Sequence, residues 1–142
     1  MTADDVIRQL DLQPHPEGGW FREVFRHAAP DGGRGLVTSI YYLLKTGERS
    51  HWHRVTDAEE IWHFHAGAPL RLRIAAPEGS AENHILGMNL PAEERPQAVV
   101  PTGWWQSAET TGEWTLVGCT VAPAFDFAGF EMASPGWEPA AG

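Results

Sequence analysis

The chain has 142 residues, 19 of them acidic and 10 basic, a formal charge of −9, and 7 His, 7 Trp and a single Cys. A chain of this length makes one domain that buries roughly 70% of the surface its unfolded form exposes, and one cysteine excludes an intramolecular disulfide. An acidic chain repels phosphate backbones and anionic lipid, no stretch approaches the roughly 20 apolar residues of a membrane span, and MTADDVIRQL has neither a basic nor an apolar leader region. The expectation is a cytoplasmic protein that binds neither nucleic acid nor membrane.

The first predicted element is a short helix over Ala3 to Leu10, capped by Thr2 with Asp5, with Val6, Ile7 and Leu10 sharing a face. Next, Pro14-His15-Pro16-Glu17-Gly18-Gly19 reads as a rigid bend, because two prolines fix φ and two glycines admit backbone that other residues avoid. His15 and Glu17 are expected chiefly to hydrogen-bond that bend. Strands follow at Trp20 to His27 and, long and mostly buried, at Gly35 to Lys45. Pro69 to Ala75 alternates Leu70, Leu72 and Ile74 against Arg71 and Arg73, as a half-buried strand does. Further strands are read at His84 to Met88, Gln97 to Pro101 and Glu113 to Val121. No interval between Gly19 and Val121 holds the crossover helix that parallel strands demand, so the sheets are expected to be antiparallel, in a sandwich, jelly roll or barrel. Residues 134–142 read as a loose tail.

Four histidines fall between residues 51 and 65. On a strand, positions two apart point the same way, so His51 pairs with His53 and His63 with His65. Glu60 follows a turn at Thr56-Asp57-Ala58, where a hairpin would set its carboxylate opposite the first pair. Two imidazoles and a carboxylate form the facial set that leaves positions open on a divalent ion. By alternation Glu60 shares a face with Trp62 and Phe64, and His63 and His65 fall on the other, where an ordinary surface pair is the simpler reading. Cys119 lies in an apolar strand and reads as an inert core thiol.

Gly47, His51, His53, Glu60 and Gly67 resemble the first signature of the cupin superfamily, and Pro101-Thr102-Gly103-Trp104-Trp105-Gln106 resembles the second, with Gln106 in place of its histidine. Two spacings depart from the signature: Gly47 lies closer to His51, and Glu60 farther from His53. The Pro14 to Gly19 bend, Ser39-Ile40-Tyr41-Tyr42-Leu43-Leu44, Glu60 to Phe64, Val100 to Trp104 and Val121 to Phe127 are similar to the cupin-5 family, over about residues 12–131. The resemblance implies an all-β, double-stranded β-helix jelly roll over about 19–131 in a single domain, 1–142, with the short helix in front. It also implies a homodimer with a pocket inside the barrel. The metal set would be His51, His53, Glu60 and Gln106, holding one Fe, Mn, Ni or Zn ion less tightly than a set completed by histidine.

Without metal, His53 and Glu60 would act as an acid/base pair with Tyr41, and Trp62, Trp104, Gln106 and Glu23 would contact the ligand. The leading expectation is therefore an isomerase- or epimerase-type cupin acting on a small polar, sugar-like or keto-acid metabolite. A binding cupin without turnover and a metal-dependent dioxygenase-like enzyme are the alternatives.

Overall fold

A computed structural model describes residues 1–140. The helix α1 (Ala3–Leu10) forms as predicted: the Thr2 side chain accepts from the Asp5 amide, Asp5 accepts from the Thr2 amide, and Asp11 ends the helix in a left-handed conformation. Val6 packs with Leu12 and Leu43, which fixes the helix to the outside of the first sheet.

Among the described residues eleven strands follow: β1 (Gln13–Pro14), β2 (Trp20–Arg26), β3 (Thr38–Lys45), β4 (Ser50–Val55), β5 (Glu59–Gly67), β6 (Leu70–Ala75), β7 (Glu82–Leu86), β8 (Gln97–Val100), β9 (Trp105–Thr110), β10 (Trp114–Ala122) and β11 (Phe130–Met132). They form a six-stranded sheet, β1-β2-β3-β10-β5-β8, and a five-stranded sheet, β11-β4-β9-β6-β7. Every ladder between named strands is antiparallel. This is the all-β double-stranded β-helix that the family resemblance implied, with the antiparallel pairing expected from the strand pattern.

Strand alternation fills the space between the sheets. Tyr42, Leu44, Trp62, Leu70, Leu72, Ile74, Val117 and Cys119 form the main core. That core closes one end of the sandwich. At the other end, smaller or partly exposed apolar side chains leave a cavity of about 490 Å³.

Two expectations are corrected. β4 and β5 are not a hairpin: Thr56 to Ala58 carries the chain from one sheet to the other, so His53 and Glu60 meet across the sandwich. The C-terminal segment is not loose over its described part. Trp137 packs on Trp105 and Trp52, with ring centroids 4.7 and 5.8 Å apart, and the Trp52 indole N–H donates to Glu138 at 3.1 Å. Residues 141–142 lie outside the described residues. Among the described residues, no helix is long and apolar enough to cross a membrane.

Candidate active site

Parity along β4 and β5 decides which polar side chains enter the cavity. Across β9, Ser50 pairs with Ala108 and His53 with Gln106, so three steps on β4 match two on β9, and the strand carries one extra residue. That bulge breaks the two-residue rule. His51 turns away from the cavity, its Nε2 lying 3.0 Å from the Ala133 carbonyl, and Trp52 packs with Ala75, Trp105 and Ala133. Only His53 of the pair points inward, where it lines the cavity at 2% exposure. β5 has no such interruption on its β8 side, and Glu60 enters the cavity from the opposite sheet at 8% exposure.

A third buried group comes from far upstream in the chain. The bend at Pro14 to Gly19 is held by the His15 amide donating to the Gly19 carbonyl at 2.9 Å and the Gly18 amide donating to His15 at 3.0 Å. Gly18 and Gly19 take φ of 107° and 79°, which a side chain would strain. The His51 amide donates to the Glu17 carbonyl at 2.9 Å, tying the bend to β4. The Glu17 carboxylate is thereby set 2.9 Å from His53 Nε2. Tyr42 donates its hydroxyl to the Gly18 carbonyl. The sequence marks Glu17 only as a bend residue. The two glycines after it mark a tight bend, and the partner of its carboxylate lies 36 positions away.

These groups set one another's protonation. Burial opposes a charge on His53, yet the Glu17 carboxylate overrides it and, with Glu60 and the His51 carbonyl, pushes the imidazole up to about 9. Burial works against the Glu17 charge as well, and the His53 cation beside it holds the carboxyl below its usual range. For Glu60 burial dominates and raises the carboxyl to about 7, with His53 opposing and Glu17 reinforcing. Cys119, buried beside Glu60, is pushed well up. The floor thus holds an ion pair, Glu17–His53, next to a carboxyl that exchanges its proton near neutrality.

Gln106 lies behind Glu60 and is fully engaged. Its amide nitrogen donates to Glu60 Oε1 at 3.0 Å, and its oxygen accepts from the Trp62 indole at 2.7 Å. Gln106 therefore orients Glu60 without reaching the cavity. Trp62 is wholly buried in the core behind it, and Trp104 packs on the same core, so neither lines the cavity as expected. Tyr41 is also displaced. β3 turns Thr38, Ile40 and Tyr42 inward, while Tyr41 packs on the helix side and meets the His65 ring at 6.4 Å. His63 faces that same outer side, its Nε2 3.1 Å from Thr120 Oγ1. Glu23 does line the cavity, at its exposed rim, where it accepts from Arg26 at 2.7 and 3.1 Å.

The expected metal set does not survive this geometry. A transition-metal ion needs several lone pairs converging on one point. His51 is turned out, Gln106 presents N–H groups, and His53 has Nε2 on Glu17 and Nδ1 2.8 Å from the His51 carbonyl. Among the described residues no group of three or more His, Cys, Asp or Glu is placed to hold a metal ion.

Residues 4–133 match the family model Cupin_5, described as Cupin superfamily (DUF985). Protein SO0799 from Shewanella oneidensis is 45% identical, with a TM-score of 0.89 over 94% of this chain and 85% of that one. A hypothetical protein from Leishmania major is 31% identical, with a TM-score of 0.85 over 94% and 88% of the two chains. KdgF from a Halomonas species shares the fold at 13% identity, with a TM-score of 0.62 over 85% and 94%. No curated protein matches the chain.

Proposed function

The chain belongs to the Cupin_5 family of the cupin superfamily, and from that premise we propose that it is a cytoplasmic acid/base enzyme of the isomerase or epimerase type. Its substrate would be a small enolisable carbonyl compound held between the sheets. One observation carries the reading: Glu60 is buried, lines the cavity, and is oriented from behind by Gln106 in the field of the Glu17–His53 pair.

In this reading the Glu60 carboxylate takes the proton from the carbon next to the carbonyl. The C–H electron pair becomes the enolate C=C bond, and the carbonyl π pair moves onto oxygen. The same carboxyl then returns a proton to that carbon as the oxygen pair re-forms the carbonyl, and the configuration inverts where the planar enolate turns in the cavity before it is reprotonated. His53, held as an imidazolium by Glu17, stabilises the negative charge without giving up its own proton. A carboxyl titrating near 7 suits both halves of the transfer. Tyr41 has no part in this scheme.

The test is proton exchange in D2O, followed by NMR on a panel of enolisable keto acids and ketoses. Wild-type protein should wash out the C–H signal of at least one, and Glu60→Gln, which keeps the shape and the Gln106 contact region, should slow it by about 100-fold or more. No exchange by the wild type, or equal exchange by the variant, overturns the reading. Binding without exchange would favour a ligand-binding cupin with no turnover.

A homodimer belongs to the same proposal. β1 pairs with β2 only at Trp20 and Phe21, so beyond them β2 offers an edge without a neighbour among the described residues, carrying Val24 and Phe25 at about half exposure. Sedimentation should return twice the 15.7 kDa chain mass, and a particle of single mass would refute pairing.

A further inference from the structure

Which carbonyl compound fits is a question about the rest of the cavity. The floor chemistry occupies little of it, and most of the remaining wall is hydrocarbon: Phe21, Ile40, Val55, Phe125, Phe127 and Phe130. Most of the polar groups near them are already engaged, the exposed Gln13 amide at the edge being the exception. Thr38 Oγ1 accepts from the Phe125 amide at 3.0 Å, both His53 nitrogens are taken, and one Glu60 oxygen is held by Gln106. A polyhydroxylated ring buried here would lose its water and find few replacements, and each unmatched hydroxyl weighs against binding.

The rim differs. It carries Arg26 and, at the sheet edge by the Leu10 carbonyl, Arg22, which pairs across the ladder with Tyr41 and so leaves β2 on the face opposite Glu23. Arg26 is spoken for, donating twice to Glu23 and once to the Phe125 carbonyl at 3.0 Å. Arg22 makes no ion pair within 4.0 Å among the described residues, and its one hydrogen bond is a long contact of 3.4 Å to the Leu10 carbonyl. Most of its N–H groups remain open in the planar fork that matches a carboxylate. Asp11 shares the rim without pairing to Arg22. A site with one open guanidinium, an acid nearby and a net charge of −9 on the chain suits a monoanion better than a phosphate dianion.

We infer that the cavity takes monocarboxylates with an apolar, ring-bearing body, Arg22 binding the carboxylate at the rim and the phenylalanine wall covering the body. This rests on the proposed proton chemistry only in identifying the reacting member as an oxo acid; the binding claim stands on the wall and the rim. It narrows the sugar-like or keto-acid expectation to the keto-acid side, and to its aromatic or cyclic members.

The probes are 4-phenylbutanoate, its uncharged isostere 4-phenylbutanamide, and glucuronate, titrated calorimetrically into the full chain. Wild-type protein should bind the acid at least tenfold more tightly than the amide, and should bind glucuronate more weakly than either. Arg22→Gln should erase the preference for acid over amide, Arg22→Lys should restore part of it, and Phe127→Ser should weaken acid and amide alike. Arg22 and Phe127 are exposed, so these variants keep the core intact. Equal binding of acid and amide, a preference that survives Arg22→Gln, tighter binding of glucuronate, or no binding of the acid overturns the inference. Glu60→Gln separates the two proposals: acid binding that persists while exchange is lost supports both, whereas exchange that persists strikes the proton chemistry and leaves the carboxylate site standing.

Discussion

The Glu17–His53 pair shows how much of a residue's chemistry lies in its neighbours. An isolated buried imidazole sheds its proton, because burial penalises the cation. His53 keeps its proton to about 9 chiefly through the Glu17 carboxylate 2.9 Å away, with Glu60 and the His51 carbonyl adding to it. Glu17→Gln removes that charge and nearly nothing else, so the His53 titration followed by nitrogen-15 NMR should fall to or below the ordinary histidine range. Proton exchange should drop on the order of tenfold, as the enolate loses its cation. A His53 titration that stays put would show that Glu17 does not hold the charge. His53 and Glu60 were both legible in the sequence, because local spacing and family resemblance converge on them. Glu17 was not, since nothing within a few residues of it shows which strand it will meet. Tyr41 and Tyr42 illustrate a finer limit: two adjacent tyrosines face opposite sides, and only the pairing of β3 with β10 and β2 settles which one enters the barrel.

Two elements place the site, and each departs from ideal geometry where it does so. The extra residue in β4 lets His53 look inward while His51 and Trp52 hold the outer side, so the strand serves the cavity and the C-terminal segment together. Alternation in the sequence carries no sign of a bulge, which is why His51 was read with His53. The glycine bend before β2 is the second element. A Cβ on Gly18 would lie 2.2 Å from the Arg49 carbonyl oxygen, at a φ of 107°. Gly18→Ala should therefore destabilise the fold by roughly 2–4 kcal/mol and cut proton exchange as well, because the bend can relax only by shifting Glu17. Gly47 gives the control. Its φ of 84° is also left-handed, but nothing lies within 4 Å of its Cβ position, so Gly47→Ala should cost about 1 kcal/mol and leave exchange intact. Equal losses in melting and exchange for the two variants would mean that the bend does not position the site. The helix, by contrast, was legible to its ends, because capping and amphipathicity are local.

At the scale of the whole molecule, enclosing the ion pair makes folding a proton-binding event. A group whose pKa is higher in the folded chain than in the unfolded one stabilises the fold below its unfolded value, and that stabilisation is lost as pH rises through the folded value. His53 moves from 6.5 to about 9, so its contribution is full below about pH 6.5 and disappears toward pH 9. Tyr42 and Cys119 are also raised and so act in the same direction at the alkaline end. Below pH 7 the signs mix. Glu60, raised to about 7, favours the fold at lower pH, whereas His15 and His63, lowered chiefly by burial, and Glu17, lowered by His53, favour it at higher pH. The clean window is therefore pH 7 to 9. There the melting temperature should fall by on the order of 5 °C, and the fall should flatten in Glu17→Gln, whose His53 is already neutral at pH 7. A wild-type melting temperature flat from pH 7 to 9 would show that the enclosed imidazole carries no proton there. The enolate would then lack its counter-charge, and Glu60 would have to work against the negative field of Glu17 alone.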